Sequence, residues 1–168
     1  FIKLDISNQE EVKHALKDKN FKVVIHLAAQ AGARLENSKY QSYFDSNIAG
    51  FFNLFLNIEK SKLEKFIFAS SSSVYSNVDK IPFEEKFDIK SHKSFYGASK
   101  YANEIFADTF SKDFRVKTIG LRFFTVYGPY GRPDMAYFDF TKKIFNEEPI
   151  KVFNDGQTFR DMTFIDDI

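Results

Sequence analysis

The chain has 168 residues, contains no cysteine, and carries 24 Lys and Arg against 23 Asp and Glu. This length suits one well-buried domain, and the net charge of +1 gives no electrostatic reason to expect nucleic acid or an anionic membrane as a partner. Without cysteine, disulfides, thiolate catalysis and cysteine-ligated metals are excluded, and we expect a cytoplasmic protein.

The sequence predicts neither a metal site nor a membrane span. The three histidines, His14, His26 and His92, are far apart and lack the spacing of metal ligands. No apolar run comes near the length of about 18 residues that a bilayer-spanning helix needs.

The first elements of the chain predict a strand, a helix and a second strand. Residues 1–4 alternate in a strand pattern, and Ser7 is placed to cap the helix that follows. Residues 21–27 form an almost continuous apolar run, as expected of a parallel strand covered on both faces. The small residues at 28–32 would let a flat or phosphorylated ligand approach the backbone, although tight packing of a turn explains them equally well.

A long helix and a second buried strand come next. Apolar side chains recur at three and four residues over 40–60, which predicts a helix with Asn47 on its apolar face. A buried amide there must bond to a neighbouring backbone or to a ligand. The strand predicted at 63–69 ends in four serines, 70–73, where an open α/β sheet binds its ligands. Loop serines that bond their own backbone are the more common explanation.

The polar stretch 76–94 is interpreted as a surface connection, and a helix is predicted over 97–110. Its packing face is expected to be Ala98, Tyr101, Ala102, Ile105, Phe106 and Phe110. Tyr96 and Lys100 open this helix one turn apart, which brings an ammonium near a phenol. A nearby cation lowers the pKa of a phenol from its usual value of about 10 and suits it to acid/base work, although a Y-x-x-x-K spacing alone is weak evidence.

The last elements extend the alternation of strands and helices. Strands are predicted at 116–124, 150–153 and 162–165, and a helix at 138–145. Alternation of this kind implies crossover connections and a parallel sheet, so the fold class is α/β.

Six segments carry a resemblance that covers nearly the whole chain. They are H-L-A-A-Q-A-G (26–32), S-N-I-A-G (46–50), S-S-S-S-V-Y (70–75), Y-G-A-S-K (96–100), L-R-F-F-T-V-Y-G-P-Y-G-R-P-D-M (121–135) and R-D-M-T-F-I-D-D-I (160–168). Together they resemble the extended short-chain dehydrogenase/reductase family, and within it the nucleotide-sugar 4-epimerases of the UDP-glucuronate 4-epimerase group. The resemblance implies a Rossmann-like, doubly wound parallel sheet. It places a partial NAD-binding domain at 1–128 and the start of a smaller C-terminal substrate-binding part at 129–168.

The resemblance also implies the roles of individual residues. Tyr96 would take the proton of the sugar 4-hydroxyl, Lys100 would hold the nicotinamide ribose and lower the pKa of the tyrosine, and Ser71 would bridge the sugar oxygen and Tyr96. The residues implied to bind NAD are Asp5, Ile6, Leu27, Ala28, Ala29, Gln30, Asn47, Tyr96 and Lys100. The residues implied to bind the UDP-sugar are Ser71, Ser72, Thr125, Arg132 and Arg160. For Arg160, a simple ion pair with Asp161 is the alternative.

The implied reaction is NAD-dependent 4-epimerisation of UDP-glucuronate to UDP-galacturonate, in a homodimer formed through the two long helices. UDP-glucose 4-epimerisation, a related dehydration, and a dinucleotide-binding protein without catalysis are the alternatives. The glycine-rich turn of the family is absent, and in the family it precedes the point where this chain begins. We therefore expect the 168-residue piece alone to bind NAD poorly and to be inactive.

Overall fold

The computed structural model of the chain describes residues 1–32, 36–75, 78, 80–87, 89 and 91–168. The chain forms two compact units, 1–122 and 123–168. A domain boundary at residue 128 stays a prediction. Residues 76, 77, 79, 88 and 90 of the expected surface connection lie outside the described ranges.

The first unit is built on a parallel three-stranded sheet in the order β1, β2, β3. The strands are β1 (Val23–His26), β2 (Lys65–Ala69) and β3 (Lys117–Leu121). The helices are α1 (Gln9–Leu16), a π-helical segment (Tyr43–Ala49) that continues into α2 (Gly50–Asn57), and α3 (Phe95–Phe114). The predicted α/β alternation is confirmed. Because the strands are parallel, the residues that follow His26 and Ala69 meet at one edge of the sheet.

Phenylalanine rings form the core between the sheet and the helices. Phe51 and Phe66 are almost completely buried, and Phe55 of α2 stacks on Phe110 of α3 with 3.9 Å between ring centroids. These rings alone remove several hundred Å² of apolar surface from water, which makes them the main stabilising contacts of the unit.

Three expectations for the start of the chain are wrong. Residues 1–4 form no strand, because they pair with no neighbouring strand in the described part of the chain and the Phe1 side chain is fully exposed. The cap of α1 is Asn8, whose side chain accepts from the amides of Glu10 and Glu11, and not Ser7. The strand predicted over 21–27 is shorter and covered on one face only, since Ile25 is 64% exposed.

The buried face of α3 also differs from the prediction. It consists of Gly97, Ser99, Lys100, Asn103, Ala107 and Phe110. Of the six residues predicted for this face only Phe110 is buried, and Ile105 is 52% exposed. The difference arises because the polar side chains of this face are hydrogen-bonded inside the protein, Lys100 to the end of β2 and both Ser99 and Asn103 to Asn47. Apolar periodicity alone does not reveal such contacts.

The second unit pairs β4 (Thr125–Tyr127) in parallel with β5 (Met162–Phe164) and contains α4 (Ala136–Phe145). The predicted final strand and the last helix are confirmed. The strand predicted over 116–124 ends at Leu121, and residues 150–153 form no strand, because Val152 and Phe153 are exposed and no neighbouring described strand pairs with them.

Candidate active site

Tyr96 and Lys100 lie in the first two turns of α3, as their spacing predicts. The helix begins at Phe95, and Ser94 caps it by accepting a hydrogen bond from the amide of Gly97 at 3.1 Å. The Lys100 Nζ lies 5.9 Å from the centre of the Tyr96 ring. The ammonium and the phenol are therefore held on one side of the helix.

Lys100 is the most unusual charge of the site, because its side chain is only 4% exposed. Its Nζ donates to the carbonyl oxygen of Ala69, at the end of β2, at 2.9 Å. Burial lowers the pKa of Lys100 to about 8, which leaves it largely protonated near neutral pH and able to give up its proton more readily than an exposed lysine.

His26, at the end of β1, faces the same buried region. Burial and then the positive charge of Lys100 lower the pKa of His26 to about 4. The ring is therefore neutral near pH 7, and it packs against Phe51 and Phe66. His26 is absent from the predicted site, although its place at the end of an apolar run was the available signal.

Ser71 lies two residues after the end of β2 and is buried. Its hydroxyl accepts from the amide of Ser73 at 3.1 Å, as the backbone-bonding interpretation of these serines expects. The following turn, Ser72–Tyr75, packs against α3. A Cβ at Gly97 would lie 2.7 Å from the carbonyl oxygen of Ser73, so only glycine permits this approach. The turn after Ser71 thus lies against the first turn of α3, which carries Tyr96.

Asn47 uses its amide within the protein. Its Oδ1 accepts from the amide of Gln30 at 2.7 Å, and its Nδ2 donates to the Gln30 carbonyl oxygen at 3.1 Å and to the Ser99 hydroxyl at 2.9 Å. Asn103 donates to the backbone oxygen of Asn47 at 2.7 Å. Asn47 therefore connects the turn after β1 to α3, the helix that carries Tyr96 and Lys100. Ser99 and Asn103 are absent from the predicted site, although their spacing of three and seven residues from Tyr96 places them on one helix face.

Four of the residues implied to bind the cofactor line one open pocket of about 520 Å³. They are Asp5, Ile6, Ala28 and Ala29, and Lys3, Leu4, Glu11 and Ser46 complete the lining. The Ser7 amide and hydroxyl bond to Asp5 and lower the pKa of its carboxyl. Leu27 is absent from this lining, and its side chain is 63% exposed.

The segment that carries Ile6 is held by α2. Asn53 donates to the carbonyl oxygens of Ile6 at 2.9 Å and Ser7 at 3.1 Å. A Cβ at Gly50 would lie 2.7 Å from the Ile6 side chain, so this glycine lets the helix approach the segment closely. Asn53 and Gly50 therefore fix one wall of the pocket.

The residues implied to bind the sugar nucleotide fall in both units. Ser72 is half-buried in the turn after Ser71, and Thr125 begins β4. Arg132 is exposed and binds both carboxylate oxygens of Asp134, through Nε at 3.0 Å and Nη2 at 2.5 Å. Arg160 is exposed and donates to the Phe159 carbonyl oxygen at 2.7 Å, and within the described residues it forms no ion pair with Asp161.

Two features are absent from the described residues. None of their helices is long and apolar enough to cross a membrane. Residues 1–32, 36–75, 78, 80–87, 89 and 91–168 also contain no group of three or more His, Asp or Glu side chains that could hold a metal ion.

Comparison with known proteins identifies similar chains that are about twice as long or longer. The chain is 48% identical over 169 residues to UDP-glucuronate 4-epimerase 4 of Arabidopsis thaliana, covering 98% of this chain and 38% of the relative. It is 44% identical over 168 residues to Protein CapI of Staphylococcus aureus, covering all of this chain and 50% of the relative. The chain thus spans about half the length of the curated relatives it matches, or less.

Two solved structures show the same fold. One is UDP-glucuronic acid 4-epimerase from Bacillus cereus in complex with UDP-glucuronic acid and NAD, with a TM-score of 0.88 and 37% identity over 99% of this chain and 52% of that one. The other is UDP-glucose 4-epimerase from Thermotoga maritima with UDP-glucose, with a TM-score of 0.89 and 29% identity over 99% of this chain and 55% of that one. The model of the NAD dependent epimerase/dehydratase family matches residues 1–168, and the chain belongs to this family.

Proposed function

We propose that the complete protein is an NAD-dependent 4-epimerase that converts UDP-glucuronate to UDP-galacturonate. The observation that carries the proposal is Lys100, a buried ammonium one helical turn from Tyr96 that is bonded to the strand end preceding Ser71. Burying a lysine ammonium costs free energy because the charge loses its hydration, and buried charged groups of this kind are common in catalytic sites. The identity to UDP-glucuronate 4-epimerases supports this substrate.

The described residues fit a dinucleotide. The pocket beside Asp5 and Ile6 has small side chains at Ala28 and Ala29, which leave room for a flat ring and a phosphate close to the backbone. Leu27 and Gln30 flank these two alanines in the chain, and Asn47 holds the Gln30 backbone in place through two hydrogen bonds. When bound, NAD supplies a reversible hydride acceptor for the sugar C4.

The residues of the chain move the proton that accompanies this hydride. The Tyr96 oxygen takes the proton of the sugar 4-hydroxyl, Ser71 bonds the sugar oxygen and steadies the transfer, and the Lys100 charge favours the phenolate. Rotation of the 4-keto sugar in the site would present its opposite face for the return of the hydride, and Tyr96 would give the proton back. The proton and the hydride are both restored, so the reaction is an isomerisation with no net oxidation.

The substrate contacts follow from charge. Arg132 and Arg160 bring guanidinium groups suited to bidentate binding of a diphosphate, and Thr125 offers a hydroxyl to the sugar carboxylate. Arg132 would exchange Asp134 for phosphate oxygens. Ser72 and Ser73 lie just before Val74, where the dehydratases and decarboxylases of the family carry an acidic residue, and the absence of a carboxylate there favours simple epimerisation.

A homodimer is part of the proposal. Apolar side chains on the two helical segments of the expected interface are left exposed in the chain: Phe44, Phe52, Leu56 and Ile105. A second copy would cover them, since apolar side chains left exposed in one chain are often buried at the interface of an oligomer. The mass of the complete protein in solution, measured by light scattering, tests this expectation, and a monomer would contradict it.

The test is conversion by the complete protein, incubated with UDP-glucuronate and separately with UDP-glucose. We expect the 4-epimer of UDP-glucuronate, and Tyr96→Phe should reduce kcat by about 10²- to 10⁴-fold because the proton acceptor is lost. Tyr101→Phe removes a phenol from the same helix and should leave kcat close to wild type.

The alternatives are outcomes of the same experiment. Conversion of UDP-glucose alone would favour the UDP-glucose 4-epimerase. Bound NAD without conversion of either sugar would favour a binding protein and sink the epimerase proposal. Turnover by the 168-residue piece alone would contradict the expectation that this piece is inactive.

A further inference from the structure

Helix α3 contacts the end of β2 through three consecutive turns. Gly97 lies against the carbonyl oxygen of Ser73, and Lys100 donates to the carbonyl oxygen of Ala69. Four residues further along, Glu104 Oε1 accepts a hydrogen bond from the Ser70 hydroxyl at 2.5 Å. These three contacts of α3 therefore hold residues on both the N-terminal side of Ser71, Ala69 and Ser70, and its C-terminal side, Ser73.

Glu104 is in turn oriented by Arg122, the residue that follows β3. The guanidinium binds the carboxylate with both arms, Nε to Oε1 at 2.9 Å and Nη2 to Oε2 at 2.7 Å. Both side chains are only 17% exposed. A bidentate pair sheltered from water fixes the direction of the carboxylate far better than an exposed pair does.

Arg122 also contacts the loops next to the site. Its Nη1 donates to the carbonyl oxygen of Glu85 at 3.2 Å, and its guanidinium lies 4.7 Å from the centre of the buried Tyr75 ring. The pKa of Arg122 is raised chiefly by its hydrogen bonds to Glu104. Arg122 therefore stays charged and ties the strand end, α3 and the turn that follows Ser71 to one another.

We propose that Glu104, oriented by Arg122, is a positioning residue that sets Ser71 against Tyr96 by holding the hydroxyl of Ser70. The inference rests on the proposed function, in which Ser71 bonds the reacting sugar oxygen. Because Ser70 and Ser71 share a peptide bond, a rotation of the backbone at Ser70 moves the Ser71 hydroxyl away from the proton path. Misplacement of a reacting group lowers kcat more than it lowers substrate affinity.

The test uses Ser70→Ala and Glu104→Gln in the complete protein. Ser70→Ala removes only the hydroxyl that Glu104 binds, and we expect kcat to fall about tenfold with KM changed less than about twofold. Glu104→Gln keeps an oxygen that Ser70 can reach, so it should retain more activity than Glu104→Ala, which removes the acceptor. The matched control is Thr118→Val, since the Thr118 hydroxyl donates to the Ala107 carbonyl oxygen of α3 at 3.2 Å, beside the apolar half of that helix.

A second measurement does not depend on activity. Amide hydrogen exchange over residues 71–75 should speed up in Ser70→Ala and Glu104→Ala and stay unchanged in Thr118→Val. Wild-type kcat in Ser70→Ala, an equal loss in Thr118→Val, or unchanged exchange would each overturn the inference. If the wild-type protein converts neither sugar, the proposed function fails. If exchange over residues 71–75 is nevertheless faster in Ser70→Ala and Glu104→Ala, Glu104 has a local structural role only. This outcome also overturns its role in positioning Ser71.

Discussion

The buried face of α3 changes character along its length. Its first half, from Gly97 through Lys100 to Asn103, packs polar groups against the ends of strands and against Asn47. Its second half presents Ala107 and Phe110 to the phenylalanine core. One half of this helix face therefore lies among hydrogen-bonding groups and the other half lies in the hydrophobic core, and the two halves affect the stability of the fold differently.

The two halves differ in what they contribute to the free energy of folding. Burial lowers the pKa of Lys100, because the protonated form is less favourable in the folded chain than in the unfolded chain. The polar half therefore stabilises the fold little or destabilises it. The apolar half contributes through buried aromatic area. The core at the other end of the same helix therefore maintains the site, and substitutions in each half should separate activity from stability.

The largest effect on stability is expected from Phe110→Ala in the apolar half. The ring stacks on Phe55 and is 6% exposed, so its loss leaves a cavity and should lower the free energy of unfolding by about 3–5 kcal/mol. Phe114→Ala removes a ring of the same helix that is 49% exposed and should cost much less. Urea denaturation of the complete protein measures both. Equal losses would contradict the placement of the core.

The polar half should make stability depend on pH through His26. Its pKa in the folded chain is about 4, below the usual value of 6.5, so the unfolded chain binds the proton more readily between these pH values. The contribution of neutral His26 to stability is therefore fully present above about pH 6.5. It is lost as the pH falls toward 4, which lowers the free energy of unfolding by up to about 3 kcal/mol.

His26→Gln should flatten this part of the pH profile, whereas His14→Gln, which changes an exposed histidine of α1, should leave the slope unchanged. Denaturation midpoints at half-unit pH steps provide the measurement. A wild-type profile that is level from pH 7 to pH 4.5 would show that His26 is not desolvated as its surroundings imply.

A smaller effect is expected from Gly97→Ala at the boundary between α3 and the turn after Ser71. Alanine favours helix by about 1 kcal/mol over glycine, yet its Cβ would lie 2.7 Å from the Ser73 carbonyl oxygen. The backbone must move, so we expect a net loss of about 1–3 kcal/mol together with a lower kcat. Gly50→Ala meets the movable end of the Ile6 side chain and should be milder, and thermal unfolding compares the two. A more stable Gly97→Ala protein would contradict the close approach.

The fold class and the first pair of the site could be predicted from the sequence, because they depend on local patterns. Strand and helix alternation indicated the α/β fold, and four-residue spacing placed Tyr96 beside Lys100. The pattern failed at residues 1–4 and 150–153, where alternation or apolar content suggests a strand but no described strand lies alongside. A strand needs a partner, and a single segment does not reveal one.

The polar contacts around the pair could not be predicted for a similar reason. Hydrophobic periodicity assigns polar residues to solvent, whereas Ser99 and Asn103 are buried because Asn47, distant in sequence, pairs with them. Glu104 and Arg122 are separated by eighteen residues and meet only when β3 lies beside β2. Contacts between distant residues depend on the register of the sheet, which spacing within one element does not determine.

The smallest effect is expected on the exposed side of α3, which takes part in neither half of its buried face. Asp108 pairs with Lys112 at 2.5 Å, but both side chains are more than 60% exposed. Water and salt screen such a pair, so Asp108→Ala should change the free energy of unfolding by less than about 0.5 kcal/mol and leave kcat unchanged. Urea denaturation and the epimerase assay on the complete protein measure the two quantities. A loss of activity in this variant would mean that catalysis responds to any disturbance of α3, and the contrast between its polar and apolar halves would then no longer explain where the site is sensitive.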